Sequence, residues 1–196
     1  MSESSLFLYF CFIGLRMKEI RLHGRGGQGA VTAASILAVA GFADGKYTQA
    51  FPAFGVERRG APVQAFVRID DKFIRRRDQV YNPDILLVLD STLFKVVDII
   101  GGLKKGGMVI VNTEKSAKDL GLEGFDVRSV DASKEAFALL GRDIVNTAML
   151  GAFAAFTGLV TKESIYDGIK EQFPEELAKK NIKLVEQVYE KAKSKN

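Results

Sequence analysis

The sequence predicts an α/β fold: a Rossmann-like three-layer sandwich with a mostly parallel sheet, a hairpin insertion and C-terminal helices. Three observations carry this. Short apolar strand patterns alternate with helical or turn patterns from residue 18 to residue 130. A glycine-rich turn, Gly24-Arg25-Gly26-Gly27-Gln28-Gly29, joins the first strand to the first helix. From Lys134 onward, helical patterns follow one another with no strand between them.

Each element has its own local reason. Ile20 and Leu22 alternate with charged residues and lead to His23, a short strand. Ala30–Ala40 reads as a helix rich in small residues, suited to close packing on a sheet. Asp44-Gly45 turns the chain into a second short strand, Lys46–Ala50. Residues 51–61 contain Pro52, Gly55 and Gly60 without clear periodicity, the mark of a shaped loop. Val63–Ile69 is strand-like, and Asp70-Asp71-Lys72 turns toward Phe73-Ile74 as the return strand of a hairpin. Asp84–Asp90 is apolar on both faces between its two acids, as in a buried parallel strand. Thr92–Ile100 reads as a helix, and Met108–Val111 and Asp126–Val130 as strands. The closing helices are Lys134–Leu140, Thr147–Gly158, Lys162–Gln172 and Glu175–Lys193.

Two units are expected. Residues 17–196 form a single module. Residues 1–16 read as an extraneous extension, because Met17 leads directly into the first strand. Within the extension Leu6–Leu15 is nearly continuously apolar, too short to cross a bilayer. It also lacks the positive start and cleavage site of a signal peptide. The other reading is an arm that docks on a partner.

Composition bounds the chemistry. With 47% hydrophobic and 27% charged residues, 196 residues can bury a core. A net charge of +4 suits a phosphorylated small molecule or an acidic partner, without the marks of a nucleic-acid or membrane binder. Cys11 is the only cysteine, so no internal disulfide forms and a cytoplasmic setting is expected. One cysteine and one histidine, His23, cannot ligate an iron–sulfur cluster or a Cys/His zinc ion. No metal site and no catalytic residue is assigned to the chain.

Gly24–Gly29 fits G-x-G-x-x-G between strand and helix, where bare backbone and a helix start can meet a phosphate. The same glycines also serve plain strand–helix packing. A nicotinamide dinucleotide is disfavoured, since Asp44 lies in the turn before the second strand and Gln49-Ala50 offers no carboxylate. A phosphate-cradling Lys-Ser/Thr does not follow the glycines, which are succeeded by Ala30-Val31.

A second segment, Phe54-Gly55-Val56-Glu57-Arg58-Arg59-Gly60, makes the pattern specific. With the glycine loop and Asn146-Thr147-Ala148-Met149-Leu150-Gly151, it resembles the gamma-subunit domain of 2-oxoacid:ferredoxin oxidoreductases. The resemblance covers about residues 17–190. Phe54 stands where that family usually has Tyr, and Ala61 where a second Gly is common.

The resemblance implies a subunit, inactive alone, of an enzyme that makes acyl-CoA, carbon dioxide and reduced ferredoxin. Pyruvate is the expected 2-oxoacid; branched-chain, indolepyruvate and 2-oxoglutarate enzymes use similar domains. It implies thiamine diphosphate, Mg and 4Fe-4S clusters on alpha, beta and delta partner subunits, with ferredoxin as electron acceptor. No cofactor is held by this chain alone, and coenzyme A is expected at its surface. The implied binding residues are Gly24, Arg25, Gly26, Gly27, Gln28, Gly29, Phe54, Gly55, Glu57, Arg58, Arg59 and Asn146. Backbone amides would take a pyrophosphate. Arg58 and Arg59 would fork onto phosphate oxygens, with Glu57 orienting one. Arg58 and Arg59 equally suit an ion pair or a subunit contact. Asn146 also suits the role of helix cap, and His23 suits either assistance to a phosphate or a satisfied strand-end histidine. Arg75-Arg76-Arg77 reads as a solvated turn or as added positive charge for the ligand. An assembly module that binds no small molecule, and a free-standing dinucleotide reductase, remain as rivals.

Overall fold

The structure, a computed structural model, describes residues 17–53 and 58–195. The extension 1–16 therefore lies outside the described residues. The chain runs β1 (Lys18–Arg25), α1 (Ala30–Ala43), β2 (Tyr47–Pro52), β3 (Pro62–Asp70), β4 (Ile85–Val88) and a 3-10 turn (Ser91–Lys95). It continues β5 (Met108–Asn112), β6 (Asp126–Val130), α2 (Ala132–Leu140), α3 (Asn146–Thr157), α4 (Lys162–Gln172) and α5 (Glu175–Lys193).

The strands form one sheet in the order β2-β3-β1-β4-β5-β6. β1, β4, β5 and β6 are parallel; β3 is antiparallel to both β1 and β2. This is the α/β sandwich with its hairpin, but the hairpin's partners differ from expectation. Val63–Ile69 pairs with the preceding strand, Tyr47 facing Asp70 and Pro52 facing Ala65. Phe73-Ile74 does not return as a strand. Ladder bonds along all of β2 outweigh the few that a two-residue return could make.

One face of the sheet is apolar and covered by helices. Ile20, Leu22, Ala65, Val67, Ile69, Ile85, Leu87 and Ile110 meet the buried sides of α1, α3, α4 and α5. Small residues set the distances. A β-carbon on Gly151 of α3 would stand 2.5 Å from the Val185 carbonyl oxygen of α5. Phe153, fully buried in this layer, contributes about 2–3 kcal/mol by leaving water.

The other face is covered by irregular chain. Leu86, Val88, Val109 and Val111 pack there with Leu93, Ile99 and Leu122. The expected helix Thr92–Ile100 is only the short 3-10 turn, opened by Asp90, whose carboxylate accepts the Thr92 amide. Val96 and Val97 give this stretch β-branched residues that favour a helix weakly.

Under β1 and β3 this second face turns ionic. Arg68 is completely buried and donates to Glu19 at 3.1 Å and to the Asp78 carbonyl at 2.8 Å. Arg76 and Lys104 approach Glu19 from the rim at 3.4 Å each. Arg76 thus closes this network through Glu19 and Asp78. Arg75 and Arg77 are exposed.

Candidate functional site

The two loops singled out in the sequence meet at the carboxyl ends of the parallel strands. β1 delivers Gly24 and Arg25 there, and β4 delivers Asp90. The chain leaves β1 through α1 toward the β2–β3 side, while β4 lies on the other side. Ligands of open α/β sheets bind in the crevice at such a reversal.

The loops pair through their backbones. The Gly26 amide donates to Ala61 at 2.8 Å, and the Gly60 amide donates to Gly26 at 3.0 Å. Gly26 and Arg59 form a parallel bridge. A β-carbon on Gly26 would stand 2.3 Å from the Arg58 carbonyl oxygen, so only glycine permits this approach. Gly27 and Gly29 have φ of 96° and 76°, a backbone that disfavours any side chain. Gly24 is buried beneath the loop.

Gly29 is the N-cap of α1 and supplies no capping side chain; the first turn carries no acid. The amides of Gly27, Gly29, Ala30, Val31 and Thr32 have no acceptor among the described residues. A helix start left open in this way attracts an anion through its N–H groups and the positive end of the dipole. Asn146 stands beside it: its Nδ2 would lie 2.5 Å from a β-carbon on Gly29. Asn146 does not cap its helix, contrary to the expectation for an Asn before a helical run. It is the first residue of α3, Val145 takes the cap position, and no side-chain cap bond forms. The Asn146 amide is buried, and its Oδ1 has no hydrogen-bond partner among the described residues.

The remaining assigned residues divide. Arg58 and Arg59 are exposed, with neither in an ion pair among the described residues. Phe54, Gly55 and Glu57 lie outside the described residues. Arg25 and Gln28 face each other across the turn, with the Arg25 amide donating to Gln28 Oε1 at 2.7 Å. Arg25 also reaches Asp90 at 2.9 Å. His23 does not enter the site. It is buried on the ionic face, where its Nε2 accepts from Arg21 at 3.0 Å. Burial, then the Arg21 charge, pushes its pKa down to about 3, so it is a neutral strand histidine.

Asp90 and Thr92 belong to the site by position, and sequence reading passed over them. An acid and a hydroxyl at the carboxyl end of a parallel strand beside the glycine strand were the available signal. Burial opposes ionisation of Asp90, yet Thr92, Arg25 and Gln28 outweigh it and hold the carboxyl below its ordinary range.

A separate crevice of about 300 Å³ opens at the amino ends of the parallel strands, between Lys18, Lys104, Met108 and Phe156. It contains no residue of the paired loops. Among the described residues, no group of three or more His, Cys, Asp or Glu stands together to hold a metal. Among them, too, no helix is long and apolar enough to cross a membrane.

Residues 19–191 match the family model of pyruvate ferredoxin/flavodoxin oxidoreductase. The chain belongs to that family. It is a gamma-type subunit of the multi-subunit 2-oxoacid:ferredoxin oxidoreductases. The gamma-type match runs nearly end to end. Pyruvate synthase subunit PorC of Methanothermobacter marburgensis is 58% identical over 90% of this chain and 98% of its own length. The pyruvate/ketoisovalerate oxidoreductases common subunit gamma of Thermococcus litoralis is 56% identical over 89% of this chain and 97% of its own. The crystal structure of pyruvate oxidoreductase subunit PORC from Thermotoga maritima superposes with a TM-score of 0.78 at 40% identity. It covers 90% of this chain and 97% of that one.

Proposed function

We propose that this gamma-type subunit supplies the coenzyme A side of the active site of a pyruvate:ferredoxin oxidoreductase. The complete enzyme converts pyruvate, coenzyme A and oxidised ferredoxin into acetyl-CoA, carbon dioxide and reduced ferredoxin. Thiamine diphosphate, Mg and 4Fe-4S clusters sit on alpha, beta and delta partners in this reading, in the cytoplasm. One observation carries it. The Gly26–Arg59 pairing sets two exposed arginines beside an open helix start. The arrangement offers amides for a pyrophosphate and guanidinium forks for further phosphate oxygens, which is the charge pattern of coenzyme A.

The substrate has a second reading. The Thermococcus relative is by name common to pyruvate and ketoisovalerate oxidoreductases. A chain this similar therefore suits a branched-chain 2-oxoacid enzyme as well, with substrate choice made on the partner chains.

The test is made in the assembled enzyme. Arg58→Ala and Arg59→Ala are expected to raise KM for coenzyme A at least about tenfold, the scale of one guanidinium–phosphate contact. KM for the 2-oxoacid should stay near wild type. Lysine replacements should recover part of the loss, because an ammonium lacks the planar fork. Native mass spectrometry checks assembly beside the kinetics. An intact mutant complex with wild-type coenzyme A dependence removes both arginines from the ligand and favours an assembly role.

A further inference from the structure

We infer that Asp90 is a positioning residue of the two-loop site: acting through Arg25, it holds the Arg58–Ala61 loop against the glycine loop. Asp90 follows β4 and uses both carboxylate oxygens. Oδ2 accepts from Arg25 Nε at 2.9 Å and from Gln28 Nε2 at 3.3 Å. Oδ1 accepts from the Thr92 amide at 2.9 Å and from the Thr92 hydroxyl at 2.6 Å. The hydroxyl, its proton given to Asp90, accepts from a terminal nitrogen of Arg25 at 2.8 Å. The other terminal nitrogen of Arg25 donates to the Gly60 carbonyl at 3.1 Å.

One guanidinium therefore spans three segments: it starts on the glycine loop, is braced by β4 and grips the second loop at Gly60. The planar fork makes this possible, because its donor directions are fixed relative to one another. Asp90 and Arg25 are mostly shielded, with side-chain exposures of 17% and 28%. In such a place a charge-assisted bond holds more strongly than at an open surface. The carboxylate also balances the charge of Arg25. Arg25 thus acts as a bracket between loops, whereas Arg58 and Arg59 are exposed and in no ion pair among the described residues. Gly26–Ala61 and Gly60–Gly26 are the backbone bonds that the bracket keeps closed.

The bracket itself is independent of any ligand; its consequence for turnover rests on the coenzyme A reading. The experiment separates the two. Hydrogen exchange by mass spectrometry is measured on the assembled enzyme carrying Asp90→Ala, Asp90→Asn or Arg25→Lys, with steady-state kinetics on the same samples. Exchange in peptides over residues 24–29 and 58–61 should quicken about tenfold or more, the scale of losing one charge-assisted bond. Peptides over β5 should be unchanged. KM for coenzyme A should rise several-fold, with little change in that for the 2-oxoacid.

Arg25→Lys keeps the charge and loses the fork, so it should behave like the Asp90 variants. If Asp90→Ala does not assemble, Asp90→Asn decides, since it keeps the shape and the Oδ1 acceptor. Wild-type exchange at both loops in Asp90→Asn and Arg25→Lys overturns the inference, as does uniform quickening across the chain. Quickened loops with unchanged coenzyme A dependence uphold the bracket and overturn the coenzyme A reading alone.

Discussion

The two faces of β1 are built from opposite chemistries. Ile20 and Leu22 point into the helix-covered core, where the neighbours are aliphatic and aromatic. Glu19, Arg21 and His23 point the other way and are also buried, held by Arg68, Lys104 and the carbonyls of Ile99 and Gly101. Burial is similar on both sides, but its energetic character is not. The first face gains by leaving water. The second must recover a desolvation cost through ion pairs and hydrogen bonds. The first should therefore respond to lost volume, and the second to lost partners and to pH.

The two largest effects are expected one on each face. Glu19→Ala strands the fully buried Arg68 and should cost about 3–5 kcal/mol, read by urea unfolding. Phe153→Ala on the helix face should cost a similar amount, about 3–5 kcal/mol, for a different reason. The faces part when a second change is added. Glu19→Leu with Arg68→Met should cost less than Glu19→Ala alone, because removing both charges removes the desolvation cost. Arg76 and Lys104, at the rim, can turn to water. A double variant as unstable as the single one would break the contrast.

The second effect is a pH dependence that His23 gives the ionic face. His23 has a folded pKa of about 3, below its unfolded value of 6.5. The unfolded chain therefore binds its proton first as pH falls. This contribution is full above pH 6.5 and is lost as pH drops toward 3, up to about 3–5 kcal/mol. His23→Gln keeps an acceptor for Arg21 and should remove this slope. Melting temperatures of both chains between pH 7 and 4 measure it; parallel curves would refute the assignment.

The smallest effect sharpens the picture of the helix face. Gly151→Ala places a methyl group against the Val185 carbonyl oxygen and should cost about 1–3 kcal/mol by overpacking. A neutral result in thermal melting would mean that α3 and α5 separate readily.

These faces were unequally legible in the sequence. The apolar face could be read because period and composition announce it: small residues in α1, apolar runs in β4, long patterns in α4 and α5. The ionic face could not. Gln64, Phe66 and Arg68 alternate with the core residues of β3, so Arg68 reads as a solvent-facing side chain until loop 71–84 covers it. The hairpin was legible as a hairpin but not in its pairing, because turn residues at 70–72 look like any β-turn. In the candidate site, the glycine loop and the second loop were legible by motif, and their union by Gly26 and Ala61 was not. Backbone bonds between distant segments leave no residue signature. Asp90 escaped for a related reason: an acid after a strand is ordinary until its partner, Arg25, is known to stand 2.9 Å away.

The position of β1 also bears on how the chain is made. It is the first of the described strands in chain order, yet it lies inside the sheet between β3 and β4. Its last parallel partner is Val88, which pairs with His23. During translation β1 thus waits with both edges open until β3 and then β4 emerge. Unpaired edges recruit other strands, and late, long-range pairing is slow. The polar side chains of β1 give that waiting strand a safeguard: Glu19, Arg21 and His23 keep one of its faces well hydrated until the chain that will cover it has been made.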